Sequence, residues 1–167
     1  QEPSISVRLF GTDEPAPRPR ILTAGSLTAE LDAGNLRHIR FNGVELIRAI
    51  SFIVRDRNWG TYNPTIENLI VDETADGFSV TYDAVARDEA QAFRYSARIS
   101  ATTAGQLTFS ADGSADTDFL TNRTGFVVLH PIVGVAGRAV RIEHADGTIE
   151  DGTFPHLIEP VQQMMNL

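Results

Sequence analysis

Apolar residues recur at every second position over most of this chain. Leu27, Ala29 and Leu31 set the pattern, and Phe78, Val80, Tyr82, Ala84 and Ala86 repeat it. Phe93, Tyr95, Ala97, Ile99 and Ala101 follow, then Leu107, Phe109 and Ala111. Successive side chains of a strand point to opposite faces, so each segment buries one face and leaves the other to water. Strands of that kind suit antiparallel sheets. Asn42-Gly43, Asp76-Gly77 and Asp146-Gly147 supply the positive backbone dihedrals of tight hairpins. Gly34-Asn35, Ala104-Gly105 and Asp151-Gly152 are looser signals of the same kind. Val44 to Val54 is more continuously apolar. Leu46, Ile47, Ile50 and Val54 also match helical spacing, but the β-branched residues around them favour a strand buried on both faces.

Many short strands at hairpin spacing predict an all-β fold, an antiparallel β-sandwich. At 167 residues the chain is long enough for one such domain, expected over residues 20–158. Glu14 to Pro19 holds three of the eight prolines and reads as an extended leader or edge crossing, so residues 1–19 are expected to form an extended leader. Residues 159–167 read as a linker to a further domain. The start at Gln1, the lone methionines Met164 and Met165, and a tail without turn or capping signals suggest one domain of a longer polypeptide.

Composition excludes several chemistries. The formal net charge is −8 and all 14 basic residues are arginine. An acidic surface without a basic stripe argues against a nucleic-acid partner. Without lysine there is neither Schiff-base chemistry nor a Walker-type phosphate loop. Without cysteine there is no thiol nucleophile, thiolate metal site or disulfide, which fits a reducing, cytoplasmic compartment. No apolar run approaches the ~20 residues that span a bilayer, so a membrane partner is not expected.

Polar candidates cluster in two places. Arg55-Asp-Arg-Asn-Trp-Gly-Thr-Tyr62 should form a loop after the Val44 to Val54 strand. There arginine, Arg57 among them, offers a planar fork for carboxylates, and Trp59 and Tyr62 flat faces for a sugar ring. Alternatively, Trp59 plugs the end of the sandwich. The second cluster surrounds the short apolar strand Phe126 to Leu129. Asn122 and Arg123 precede it and suit the hydroxyls and carboxylate of a sugar acid. They also fit an ordinary turn in which Arg123 pairs with Asp116 or Asp118.

His130 follows that strand and precedes Pro131, which holds its backbone extended. It suits a general acid or base, or a structural histidine bonded to a backbone carbonyl. Three of the four histidines, His130, His144 and His156, lie in the last third. Glu143 and His144 are adjacent and so face opposite ways on a strand. His144 and Asp146 can share a face, yet two ligands without a third make a poor metal site. No metal and no cofactor is expected. His38 reads as hairpin packing. There is no Gly-x-Ser-x-Gly elbow, His-Glu-x-x-His pair or glycine-rich dinucleotide loop.

Several phrases carry a family resemblance. Leu9-Phe-Gly-Thr-Asp-Glu14, Ile50 through Tyr62 and Phe119 through Pro131 resemble the N-terminal region of bacterial D-apionate lactonase-like proteins. Gly134-Val-Ala-Gly-Arg138 and Phe154-Pro-His-Leu-Ile158 fit the same pattern. The resemblance implies a longer parent with further domains, one of them barrel-like. It also implies hydrolysis of the lactone of a branched sugar acid within bacterial pentose catabolism. It carries no catalytic residue over to this chain. The asparagine-arginine and histidine-proline phrasing is similar, at fold level only, to galactose mutarotase-like supersandwich domains.

On the lactonase reading this domain walls an active site. His130 would act as acid/base, Arg57 and Arg123 as carboxylate or oxyanion partners, and Trp59 as sugar platform. The expected partners are a sugar acid or lactone and the downstream domain. The alternatives are a non-catalytic carbohydrate-binding or packing domain, and a mutarotase-like sugar epimerase.

Overall fold

The computed structural model describes residues 3–15 and 18–157. Two antiparallel sheets face each other across one apolar layer. The first holds β1 (Arg20–Ala24), β2 (Leu27–Asp32), β3 (Asn35–Phe41), β4 (Val44–Val54) and β9 (Thr124–Leu129), in the order β1-β2-β3-β4-β9. The second holds β5 (Thr65–Thr74), β6 (Gly77–Arg87), β7 (Ala92–Thr102) and β8 (Leu107–Ala115) in sequence order. A hairpin of β10 (Ala139–Glu143) and β11 (Ile149–Thr153) stands apart as a two-stranded sheet. The fold is an antiparallel β-sandwich.

Period-two alternation accounts for the core. Leu27, Ala29 and Leu31 of β2 are buried, and so are Phe78, Val80, Tyr82, Ala84 and Ala86 of β6 and Tyr95, Ala97, Ile99 and Ala101 of β7. Burying a side chain of valine or leucine size stabilises a fold by roughly 1.5–3 kcal/mol, so this layer dominates the energetics. The Tyr82 hydroxyl crosses between the sheets and donates to the Gly34 carbonyl at 2.8 Å. That bond satisfies a polar group the core would otherwise penalise.

Hairpins form where turn chemistry predicts them. Asn42 and Gly43 have φ of 50° and 78°, the primed geometry that matches strand twist. Asp151-Gly152 behaves otherwise. Gly152 lies inside β11, paired with Val140, because the neighbouring strand overrides the local turn preference.

Two further expectations are corrected. Val44–Val54 is a strand, but it is not buried on both faces. Ile47, Ile50, Phe52 and Val54 meet the core, whereas Val44 and Leu46 are exposed. The leader is not extended throughout, because Ile5–Phe10 form a short helix, α1. The Ser4 hydroxyl accepts the Val7 N–H at its start, and Gly11 closes it with φ 79°. The expected linker, residues 159–167, lies outside the described residues, as do Ala16 and Pro17 of the leader.

β4 and β9 are antiparallel neighbours in register from Ala49↔Leu129 to Val54↔Thr124. The end of β4 and the start of β9 therefore coincide in space. The loop after β4 must meet the segment before β9.

Candidate functional site

The loop after β4 is built around Asp56. Its Oδ1 accepts the Asn58 N–H at 2.6 Å and the Gly60 N–H at 2.9 Å. A side-chain oxygen bonding the backbone two residues on is the device by which aspartate makes turns. The loop closes where Arg55 pairs with Thr61 and the Tyr62 N–H donates to the Val54 carbonyl. A Cβ on Gly60 would lie 2.4 Å from Asp56 Oδ2, so any larger residue there displaces the carboxylate that shapes the loop. Trp59 takes φ +70°, which bulky residues seldom adopt.

Residues 121–123 are stapled to this loop by four hydrogen bonds. Thr121 Oγ1 donates to the Arg55 carbonyl at 2.6 Å, and Asn122 Nδ2 to the Arg57 carbonyl at 3.0 Å. The Asn122 N–H donates to the Asp56 carbonyl, and the Arg55 N–H to the Arg123 carbonyl. These bonds place Arg123 Cζ 5.3 Å from the Trp59 ring centroid. Arg55 Cζ lies 5.9 Å from the same centroid, and Arg55 Nη1 donates to the Trp59 carbonyl. Both separations are within cation–π range.

Trp59 is 52% exposed, so it does not plug the sandwich. Arg57, Trp59, Asn122 and Arg123 thus meet at one corner. Arg57 is exposed at the loop tip, and no ion pair of its guanidinium is found among the described residues. Of the carboxylates considered for Arg123, Asp116 is engaged by Arg94 at 2.5 Å. Beside the corner, Ile53, Asn122, Arg123, Thr124 and Val127 line a depression of about 480 Å³. That volume falls within the range of small-molecule sites.

A network that the sequence did not reveal supports the corner from below. The Tyr62 hydroxyl donates to Asp88 Oδ2 at 2.5 Å and accepts from Gln91 Nε2 at 2.9 Å. Gln91 also exchanges bonds with the Leu120 backbone, donating to its carbonyl and accepting its N–H. The Tyr62 and Phe93 rings flank Phe119 at 5.9 and 5.6 Å. Burial, then the bond to Asp88, raises the Tyr62 pKa. The Tyr62 hydroxyl, then the backbone N–H groups of Ala90 and Gln91, hold the Asp88 carboxyl below its ordinary value. The only sequence trace of this network is the Asp88-x-x-Gln91 turn, whose long-range partners are invisible locally.

The other candidates lie elsewhere. His130 follows β9 and Arg123 precedes it, so the six-residue strand holds them about 20 Å apart. One small lactone cannot touch both. The His130 ring instead packs against Phe154 at 5.2 Å. With Pro131, Ile132, Val135, Ala136 and His156 it lines a mainly apolar recess of about 350 Å³.

His144 Nε2 meets Glu150 Oε2 at 3.0 Å. Asp146 accepts both the N–H and the hydroxyl of Thr148, which lower its pKa. No group of three potential metal ligands occurs among the described residues. His38 sits in the β3–β4 hairpin, with Nδ1 3.0 Å from Glu45 Oε1. A groove of about 560 Å³ on the outer face of β5 to β8, lined by residues such as Asn68, Asp83 and Arg98, holds none of the sequence candidates. No described helix is long and apolar enough to cross a membrane.

Over residues 7–167 the chain matches the family model described as the N-terminal domain of D-apionate lactonase. It is 48% identical over 160 residues to a D-apionate lactonase of Brucella anthropi. That alignment covers 95% of this chain and 26% of the relative, so the chain spans about a quarter of the length of the curated protein it matches. No solved structure matches it.

Proposed function

The chain belongs to the family of D-apionate lactonase N-terminal domains, and from that premise we propose that it is the substrate-facing β-domain of a sugar-acid lactonase. Its contribution is the corner of Arg57, Trp59, Asn122 and Arg123. The observation that carries this reading is that Arg123, which lines the 480 Å³ depression with Asn122, lies 5.3 Å from the exposed Trp59 ring.

Each group has a chemical task. A guanidinium resting on an aromatic ring has the orientation of its plane restrained, which suits a directional contact with a planar anion. Arg57 and Arg123 hold the carboxylate of the sugar acid, or the carbonyl oxygen of its lactone as negative charge develops there. The half-exposed Trp59 ring lies against the C–H surface of the sugar. Asn122 fixes the loop through its amide Nδ2, and its side-chain oxygen is left for a hydroxyl.

Hydrolysis also needs a group that activates water. His130 is too far along β9 to serve a lactone bound at the corner. In this reading that group comes from the larger part of the polypeptide. The chain therefore binds and orients, and the site is completed from outside it.

Calorimetric titration of the full-length protein with the open-chain sugar acid tests the proposal. Trp59→Ala weakens binding about tenfold, equivalent to ~1.4 kcal/mol. Equal affinity of wild type and variant contradicts it and leaves a packing domain.

A further inference from the structure

Among the described residues the sandwich has four edge strands, β1, β5, β8 and β9. An open edge presents unpaired backbone groups, and proteins blunt such edges with charge, proline or bulges. Three of the four are treated in this way. β1 carries Arg20, paired with Glu73 at 2.6 Å. β5 carries Glu67, Asp72 and Glu73 and a register shift against β6 between Glu67 and Ile70. β8 carries Asp112.

β9 has none of these devices. Its sequence, Thr-Gly-Phe-Val-Val-Leu, lacks charge and proline, and its register with β4 is unbroken. Phe126 lies 44% exposed, Val128 46% and Leu129 52%. After the strand, Ile132 is 64% and Val133 90% exposed, and Leu157, which lines a recess with Ile132, is 81% exposed. Exposed apolar residues on and after an unprotected edge mark an interaction surface.

We infer that β9 and the turn after it dock against the part of the same polypeptide that follows this domain. The family places the domain at the N-terminus of a protein of which the chain covers only 26%. Most of such a protein therefore lies downstream. Phe154 to Leu157 share one apolar recess with His130 and Ile132, so the C-terminal part of the described chain lies beside this surface. The recess lining includes no carboxylate and suits an apolar side chain better than a sugar. His130 and His156 belong to that interface.

The inference rests on family membership and not on the corner binding a sugar acid, so either can fail alone. Hydrogen exchange on the full-length protein, with its mass measured at the same concentration, tests it. The β9 amides that do not bond to β4 are expected to exchange at least a hundredfold slower than free amides while the protein is monomeric. Free exchange at these amides overturns the inference. Protection that appears only as a dimer forms also overturns it, because a second copy is then the occupant.

Discussion

The Arg123 guanidinium lies 5.3 Å from the ring centroid of Trp59, although four strands separate the two residues along the chain. Pairing of β4 with β9 brings them together, and Asp56 shapes the loop that presents the ring. Asp56→Ala removes the acceptor for two loop N–H groups. It is expected to cost about 1–2 kcal/mol of stability and to weaken sugar-acid binding severalfold. Parallel urea melts and calorimetry check both effects, and unchanged binding would separate the loop from the site.

Two glycines at hairpin turns differ in what surrounds them. A Cβ on Gly77, at φ +146°, would lie 1.9 Å from the Ala101 carbonyl oxygen. Gly43, at φ +78°, faces open space. Gly77→Ala should therefore cost about 3 kcal/mol or more, from strain plus forced displacement of β7. Gly43→Ala should cost only about 1–2 kcal/mol, from backbone strain alone. Urea midpoints of the two variants in the full-length protein give the comparison, and equal losses would contradict the register of β6 on β7.

Acid should loosen the support beneath the corner. The Asp88 carboxyl is held below its ordinary value by the Tyr62 hydroxyl and two backbone N–H groups. A depressed folded pKa contributes stability above the unfolded value, near 4, and that contribution is lost as pH falls through the folded value. The raised Tyr62 pKa gives the opposite limb. Its contribution is complete below about 10 and is lost as pH rises through the folded value. Asp88→Asn should flatten the acid limb of melting temperature against pH and leave its neutral portion parallel to wild type. An unaltered acid limb would show that Asp88 does not carry it.

The sandwich was legible because period-two alternation is local physics, and Phe78 to Ala86 and Phe93 to Ala101 bury the side chains it selects. The candidate corner was legible in part. Arg57, Trp59, Asn122 and Arg123 have suitable chemistry, but their meeting depends on β4 pairing with β9, which no local pattern encodes. The same strand separates His130 from the corner. Seven positions look close in sequence, yet an extended β9 sets His130 at the opposite end from Arg123. Asp151-Gly152 looked like a turn because turn propensity is local, whereas pairing with Val140 is not. The short helix at Ile5–Phe10 had a visible signal in Ser4 and Gly11, outweighed by the prolines that follow.

In the proposed site the corner binds substrate. Arg57 tests it most cleanly, because it is exposed at the loop tip and its loss removes no ion pair among the described residues. Steady-state hydrolysis of the D-apionate lactone by the full-length protein should show KM for Arg57→Gln raised about tenfold, the loss of one charge-assisted hydrogen bond. With chemistry supplied from elsewhere in the polypeptide, kcat should stay within about threefold of wild type. An unchanged KM would contradict the account and leave this domain without contact to the substrate.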